Sequence, residues 1–530
     1  MRSSKIILCL ALCAVSALSQ RSEAQSPPSE KSASVSGIVV SALTGAPVSR
    51  AHLMLGLDAE EDKTYGAMAG SDGKFSITGM TPGSYAVTLD RIGFSMPTGS
   101  DAPQDLLLKP GEHKDDVLLR LVPTGAITGQ VTNADGEPVQ GVQVQAWGLP
   151  GVEGSDVDGT TDSRGHFRIG GLAPGRYRIL ATPENHYAPP EQRTDGTVDS
   201  QDAPTYYPGV LTFRQGTRVV VTAGGETSGV EIHLAKVPIV AVSGKVEGAP
   251  PGAFNPQLFV AQKNGISRST AGIKPDGTFR LWRLNPGQYE ISGMWQAPGG
   301  RFFATAAVPF EVAGANNIEN LFLRLMPPAD IAGHIEFHDD ASKPAVKLHP
   351  KLTLAGTGVR ANSRSADIDP DGSFRIPQMP AGKYRVVLSW NKAYVTSIQF
   401  GSNEIDGSLL DLTNGVSGDL AVRVASATGA ISGNVTDNKG PAPGSRVALV
   451  FDGEGGGIRP RVETVGAGGA YLFEGVAPAG YKLIAVSDAD GEYIAQGGRL
   501  DDYEDLMESI EIHSGEKLTR DLKLRLPDDK

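Results

Sequence analysis

Apolar and polar residues alternate with a period of two along most of the chain, and glycine, proline and aspartate cut the alternation into short runs. Strands with one face in a core and the other in water produce this pattern. The runs belong to an internal repeat. Each copy opens on an apolar-x-Gly-x-apolar stretch: Val35-Ser36-Gly37-Ile38-Val39, Ile127-Thr128-Gly129-Gln130-Val131, Val242-Ser243-Gly244-Lys245-Val246, Ile331-Ala332-Gly333-His334-Ile335 and Ile431-Ser432-Gly433-Asn434-Val435. About forty residues on comes a turn with an aromatic: Asp72-Gly73-Lys74-Phe75, Arg164-Gly165-His166-Phe167, Asp276-Gly277-Thr278-Phe279, Asp371-Gly372-Ser373-Phe374 and Gly468-Gly469-Ala470-Tyr471. Asp-Gly supplies the positive φ of a tight hairpin turn. A second turn then leads into a tyrosine, in Pro82-Gly83-Ser84-Tyr85, Pro174-Gly175-Arg176-Tyr177, Pro286-Gly287-Gln288-Tyr289, Pro380-Ala381-Gly382-Lys383-Tyr384 and Pro478-Ala479-Gly480-Tyr481. The opening glycine and this tyrosine are 45 to 51 residues apart in all five copies. A last alternating strand closes each copy: Val117 to Leu121, Val230 to Leu234, Leu321 to Leu325, Leu420 to Val424 and Leu522 to Leu526.

Helical spacing is almost absent, and only Tyr503 to Ile510 allows a turn or two of helix. The pattern therefore predicts an all-β chain of five tandem antiparallel β-sandwich modules, over 34–123, 124–237, 238–327, 328–427 and 428–528. Short proline-containing links, as in Val122-Pro123-Thr124-Gly125 and Met326-Pro327-Pro328-Ala329, predict a semi-extended array.

Ahead of the repeats, Arg2 and Lys5 precede an apolar run from Ile6 to Leu18, followed by Ser22-Glu23-Ala24. That is the form of a cleavable signal peptide over residues 1–24, too short to span a bilayer, and it predicts export to the periplasm or the exterior. Both cysteines, Cys9 and Cys13, lie in this segment, so its removal leaves neither a disulfide nor a thiol nucleophile. With 48 Lys and Arg against 60 Asp and Glu the net charge is −12, which argues against nucleic acid as a partner. Gly at 66 and Pro at 36 make the chain turn-rich, yet 40% hydrophobic residues are enough for packed cores.

The opening glycine, Asp-Gly-x-Phe and Pro-Gly-x-Tyr together resemble the carboxypeptidase regulatory-like family, whose domains are transthyretin-like (prealbumin-like) sandwiches also grouped with carbohydrate-binding-like folds. The resemblance covers nearly all of residues 34–528, and Thr205-Tyr206-Tyr207-Pro208-Gly209 and the Leu410-Asp411-Leu412 region resemble segments of exported bacterial proteins built from such modules. It implies a non-catalytic accessory domain, attached in different proteins to peptidases, outer-membrane transporters or surface proteins.

Catalytic chemistry finds little support. His513-Ser514-Gly515-Glu516 has the form of a zinc pair, with no histidine downstream to complete it. His334 and His338 fall on a predicted strand, about 13 Å apart on one face. No phosphate loop, dinucleotide fingerprint or nucleophile elbow occurs, and no cofactor is implied. Asp367, Asp369 and Asp371 copy the start of a calcium loop, but Gln378 stands where the closing glutamate belongs. Binding chemistry points instead to aromatics. Parity places Trp147 and Trp282 on outward faces and Trp295 and Trp390 in cores, while Tyr206 and Tyr207 lie between turn signals, where binding residues concentrate. These features predict a monomeric, exported, non-enzymatic binding or spacer array. Its partner is a polysaccharide stacking on Trp147, Trp282, Tyr206 or Tyr207, or an envelope protein captured by β-augmentation. A less favoured alternative is an accessory role to a peptidase or other hydrolase.

Overall fold

The computed structural model describes residues 32–58, 60, 62–98, 102–149, 152, 157–184, 191, 193–262, 267–270, 273–282, 284–337, 350–357, 363–389, 393–406, 408–415, 419–453, 459–495, 500 and 503–525. The expected leader, residues 1–24, lies outside them. Strands follow the alternation directly: Phe75, Ile77 and Met80 are buried along Lys74–Met80 while Lys74, Ser76 and Thr78 are exposed. The chain forms two compact units, one ending at Arg91 and resuming over Pro103–Arg120, the other taking Ile92–Ala102 and everything from Leu121 onward.

Within the second unit the residues near 330–425 show the plan. One sheet runs in the order Ser373–Met379, Ala329–Phe337, Leu420–Ala425, Tyr394–Phe400, Asn403–Asp406, and the other in the order Ser363–Asp367, Lys351–Gly356, Lys383–Leu388, Leu409–Asp411. Ile331, Leu352, Leu354, Phe374, Tyr384 and Val422 belong to the core they enclose. Separate clusters of the same kind span Ile127 to Leu234, Val240 to Leu325 and Ile431 to Leu522. The pairing is mostly antiparallel, but the closing strand runs parallel to the opening one, as in Glu226–His233 beside Gly125–Thr132 and Leu420–Ala425 beside Ala329–Phe337. Near 240–326 the strand Phe302–Thr305 bridges Gly287–Gln296 and Ile318–Met326, joining both layers into one eight-stranded sheet.

The repeated residues all serve this packing. Each opening glycine is paired across the sheet with the motif aromatic: Gly37 with Phe75, Gly129 with Phe167, Gly244 with Phe279, Gly333 with Phe374 and Gly433 with Tyr471. A Cβ on these glycines would lie 1.9 to 2.1 Å from the carbonyl oxygen of Val117, Val230, Leu321, Leu420 or Arg520, and 2.6 to 3.1 Å from the ring. Glycine is needed here for close approach, so that ring and neighbouring backbone can both close on the strand.

The Asp-Gly turns differ from the expected hairpins. Ser363–Asp367 pairs with Lys351–Gly356, whereas Ser373–Met379 pairs with Ala329–Phe337, so the turn between them arches from one sheet to the other. Its glycine has φ between 73 and 87° in the five copies, and its carbonyl accepts the amide of Val39, Val131, Val246, Ile335 or Val435 on the opening strand. A conformation open to glycine thus ties the arch back to the sheet.

The repeated tyrosine is a corner pin. Its hydroxyl donates to the carbonyl four residues upstream in every copy: Tyr85 to Thr81 at 2.5 Å, Tyr177 to Ala173 at 2.6 Å, Tyr289 to Asn285 and Tyr384 to Pro380 at 2.8 Å, and Tyr481 to Ala477 at 2.9 Å. The ring fills the core while the hydroxyl satisfies a carbonyl at the turn. Burial pushes the Tyr177 and Tyr384 phenols up to about 12, keeping them neutral donors.

Helix formation falls elsewhere than the spacing suggests. Among the described residues the α-helix is Asp488–Ala495, while the 503–510 stretch holds a single 3-10 turn, Glu504–Leu506, followed by the strand Glu508–Ile512. This region also adds a contact that chain order does not require. Arg214 pairs with Glu504 at 3.4 Å and with Asp505, and Arg176 reaches Asp490 at 3.5 Å. Asp490 is 1% exposed and also accepts from Tyr503 Oη at 2.6 Å and Ser487 Oγ at 2.5 Å. The acidic run at Asp501 to Asp505, read as solvated, is thus engaged at Glu504 and Asp505; Asp501 and Asp502 lie outside the described residues.

Gly129→Ala should cost stability at the upper end of roughly 1–3 kcal/mol, because backbone cannot yield as a side chain can. Tyr177→Phe should cost about 1–2 kcal/mol by leaving the Ala173 carbonyl unpaired; urea unfolding followed by near-ultraviolet circular dichroism measures both. Arg176→Gln should destabilise by about 1–3 kcal/mol by leaving a buried carboxylate with neutral donors alone, and Asp490→Asn in that background should recover part of the loss. Additive single-variant losses in the double variant would show that the pair is not coupled.

Candidate functional site

The aromatics singled out by sequence occupy different settings. Trp282 ends the strand Thr278–Trp282, paired with Ala241, and is half-buried while Phe279 and Leu281 fill the core. Trp147 is half-buried too. The segment carrying Tyr206 and Phe213 folds over the outer face of its sheet, and Trp147 packs with Leu149, Leu180, Tyr206 and Phe213 in a satellite cluster. Tyr206 is 6% exposed and meets Phe213 edge to face at 5.8 Å, while Tyr207 packs against the main core. Tyr206 is therefore covered, and Trp147 and Tyr207 are left half-buried like Trp282, because parity within a strand says nothing about what later chain covers it. Trp295 is buried, as its parity requires; Trp390 lies outside the described residues.

The same insertion explains Arg178, 2% exposed on the outer face. Its guanidinium lies 4.4 Å from the Phe213 ring centroid, and Nε donates to the Gly216 carbonyl at 2.9 Å. The equivalent position after the repeated tyrosine is Arg385, whose guanidinium lies 4.3 Å from the ring centroid of Phe451, a residue of the following repeat.

An exposed aromatic row was not visible in the sequence. Across adjacent strands Phe254 pairs with Gln296 and Gln296 with Phe302, so the three share one face. Phe254 is 50% and Phe302 42% exposed, whereas Trp295, one residue along, points into the core. Two strand spacings separate the phenylalanines, about 10 Å, with a carboxamide between them. Two exposed aromatic rings thus flank a polar side chain on one open face. The signal could not be found from alternation alone, since phenylalanine on a strand reads first as core.

The polar candidates are occupied by local structure. Asp371 Oδ1 accepts the Ser373 amide at 2.9 Å and its hydroxyl at 2.7 Å, and Asp276 does the same for Thr278 at 3.0 and 2.7 Å. Asp369 closes the turn by donating its amide to the Ser373 carbonyl, and Asp367 lies 3.7 Å from Lys351 Nζ. Side-chain contacts of the arch account for these aspartates. His513 Nδ1 and its amide both reach Glu516 Oε2, at 3.0 and 2.8 Å, so the would-be zinc pair caps its own turn. His334 pairs with Glu336 at 3.2 Å, and His338 lies outside the described residues. Among the described residues no three His, Cys, Asp or Glu side chains gather as a metal set, and no helix is long and apolar enough to cross a membrane.

Fold and surface together define a multi-module β-sandwich protein with aromatic and cationic features on its outer faces. Residues 34–110 and 126–235 match the model of the carboxypeptidase regulatory-like domain, and these two regions are domains of that family. No curated protein matches the chain. Among solved structures, the minor pilin GBS52 of Streptococcus agalactiae is 15% identical, over 39% of this chain and 97% of that one, with a TM-score of 0.24. A streptococcal ancillary pilin is 12% identical over 54% and 99%, at 0.19, and BcpA, the major pilin subunit of Bacillus cereus, is 11% identical over 75% and 99%, at 0.13. At these scores the likenesses add no argument about function.

The arch aspartates carry a pH dependence. Hydrogen bonds from the Thr278 and Ser373 hydroxyls, then from their amides, hold Asp276 and Asp371 below the usual carboxylate range. Amides of His166 and Arg164 do the same for Asp162. A carboxylate depressed by folding adds stability above its unfolded value of about 3.9, and the contribution is lost as pH falls through the lower folded value. Urea midpoints measured from pH 7 down to pH 2.5 should fall less steeply below about pH 4 for Asp276→Asn than for the unaltered chain. Identical slopes would show that the turn carboxylate contributes nothing.

Proposed function

We propose that the chain is an exported, non-catalytic array of five sandwiches, each over one of the expected ranges, that serves as a binding and spacing element at the cell envelope or outside the cell. The repeated glycine, aromatic and tyrosine are spent on cores and corners in every copy, so recognition is left to outer faces. The observation that carries binding is the exposed row of Phe254, Gln296 and Phe302, whose spacing fits a polysaccharide. Half-buried Trp282 is a secondary contact in this reading. In this reading Asp369 and Asp371 serve the turn and Asp367 pairs with Lys351 on the neighbouring strand.

The alternative is an envelope protein adding a strand to a sheet edge. Thr64–Met68 supports it, a five-residue strand at the end of its sheet order with Met68 59% exposed.

A panel of soluble plant, microbial and host polysaccharides tests the first reading by affinity electrophoresis. Phe254→Ala and Phe302→Ala should each weaken retardation by about two- to tenfold, at roughly 0.5–1.5 kcal/mol per stacking contact, with Trp282→Ala having a smaller effect. No retardation by any glycan, together with one dominant protein crosslinked in the native envelope, would replace this reading with strand addition.

A further inference from the structure

A second feature lies within the larger unit, where the strand Lys383–Leu388 and its flank face the strand Arg446–Phe451 and the turn before Tyr481. A cleft of about 550 Å³ opens there. Its charged lining residues are Arg385, Arg459 and Arg461, and among the described residues no carboxylate lines it. This is unusual in a chain of net charge −12. The remaining walls are largely apolar, with Val386, Leu388, Leu449, Val476 and the rings of Phe451 and Tyr481.

The arginines are set at different depths. Arg385 is 9% exposed, stacks on Phe451 and donates from Nη1 to Ser408 Oγ at 3.1 Å. Burial lowers its pKa from the usual arginine range, a sign that a cation has been drawn into a poorly solvated place. Phe451 in turn meets Tyr481 edge to face at 5.8 Å. Arg461 lies over Phe473 at 5.5 Å, donates to the Gly475 carbonyl at 3.5 Å and is 3.9 Å from Glu463. Arg459 is exposed at the mouth and has no hydrogen-bond or ion-pair partner among the described residues.

This chemistry selects against a neutral sugar. A neutral sugar offers many hydroxyl donors, and the described lining has no Asp, Glu, Asn, Gln or His side chain to accept them. Of the hydroxyls present, Tyr481 already donates to Ala477, Tyr394 is bonded to Ser514, Ser389 accepts the Lys351 amide and Ser408 accepts from Arg385. Guanidinium groups match the two oxygens of a carboxylate, and apolar walls take an uncharged body beside it. We infer that this cleft is a binding site for a carboxylate carried on an apolar body, with Arg459 and Arg461 engaging the anion and Phe451 and Tyr481 packing against the body. The carboxylate can belong to a free organic acid or to an acidic side chain within an apolar peptide.

Fluorescence titration of the full chain tests the assignment, with dansyl-phenylalanine as probe and dansyl-phenylalaninamide as the same body without the charge. The acid should bind at least about tenfold more tightly than the amide, the value of one charge-assisted contact. Arg459→Gln should lower acid affinity about five- to tenfold without altering the amide, and Arg459→Lys should restore part of it. Arg459 is exposed and partnerless among the described residues, so its removal leaves folding intact, as an unchanged urea midpoint will confirm. Displacement by acetyl-Phe-Glu-Phe-amide assigns the site to a protein segment; displacement by 3-phenylpropionate with no effect of the peptide assigns it to a free acid. Equal binding of acid and amide, no binding of either, indifference to Arg459→Gln, or equal displacement by inorganic phosphate would each overturn the inference. So would displacement by polygalacturonate but not by 3-phenylpropionate, which makes the site a polysaccharide groove. Glycan retardation lost on Phe254→Ala in a chain that ignores the probe would remove this site and leave the proposed function standing.

Discussion

The crossing of an aromatic ring over a bare glycine is the contact on which the rest of each sandwich depends. The glycine sits where the opening strand meets both the strand after the arch and the parallel closing strand, with the closing strand's carbonyl about 2 Å from where a Cβ would stand. No side chain fits there. Because ring and glycine pair directly, the register of two strands is set, and a one-residue slip would turn every core residue outward. The arch glycine and the corner tyrosine then hold the two sheets at their separation, one through its carbonyl on the opening strand and the other through its hydroxyl at the next turn.

Spending the repeated residues in this way frees the outer faces to diverge. The position after the corner tyrosine is Ala86, Arg178, Glu290, Arg385 and Lys482 in the five copies. Arg178 is covered by an insertion of its own domain, Arg385 by Phe451, and Lys482 pairs with Asp452 at 3.3 Å. One backbone site therefore serves as a self-contained plug, an intermodule contact and a surface ion pair, according to the side chain it carries. The arginine cleft and the phenylalanine row both arise on such variable faces, which is where a scaffold with an invariant interior can acquire recognition.

The contact between Arg176 or Arg214 and the 490–505 region shows the limit of reading a tandem chain as a series of neighbours. Asp490 is buried by Tyr503 and Ser487 on its own side and meets Arg176 from a repeat some three hundred residues earlier. Such a pair adds little net energy, since each charge loses its hydration, but it rejects other arrangements of the same domains because breaking it strands a buried carboxylate.

Much of the interior was legible in the sequence. Strand class, the five repeats and the core roles of Phe167, Tyr177 and Trp295 follow from alternation and turn chemistry, because those signals act between residues near in sequence or at a fixed repeat spacing. Even so, the Asp-Gly turns read as hairpins when they are arches, since a turn's φ does not reveal which strands its arms will join. The outer surface was legible only in part. Trp147 has the parity and Tyr206 the turn setting for exposure, yet an insertion buries Tyr206 and half-buries Trp147; Phe254 and Phe302 look like core and form an open row. Sequence alone determined the core positions of the repeated motifs, through the two-residue period of the strand. Tertiary structure decided which outward residues stay in water, because burial on that side depends on segments distant in the chain whose approach no local pattern encodes.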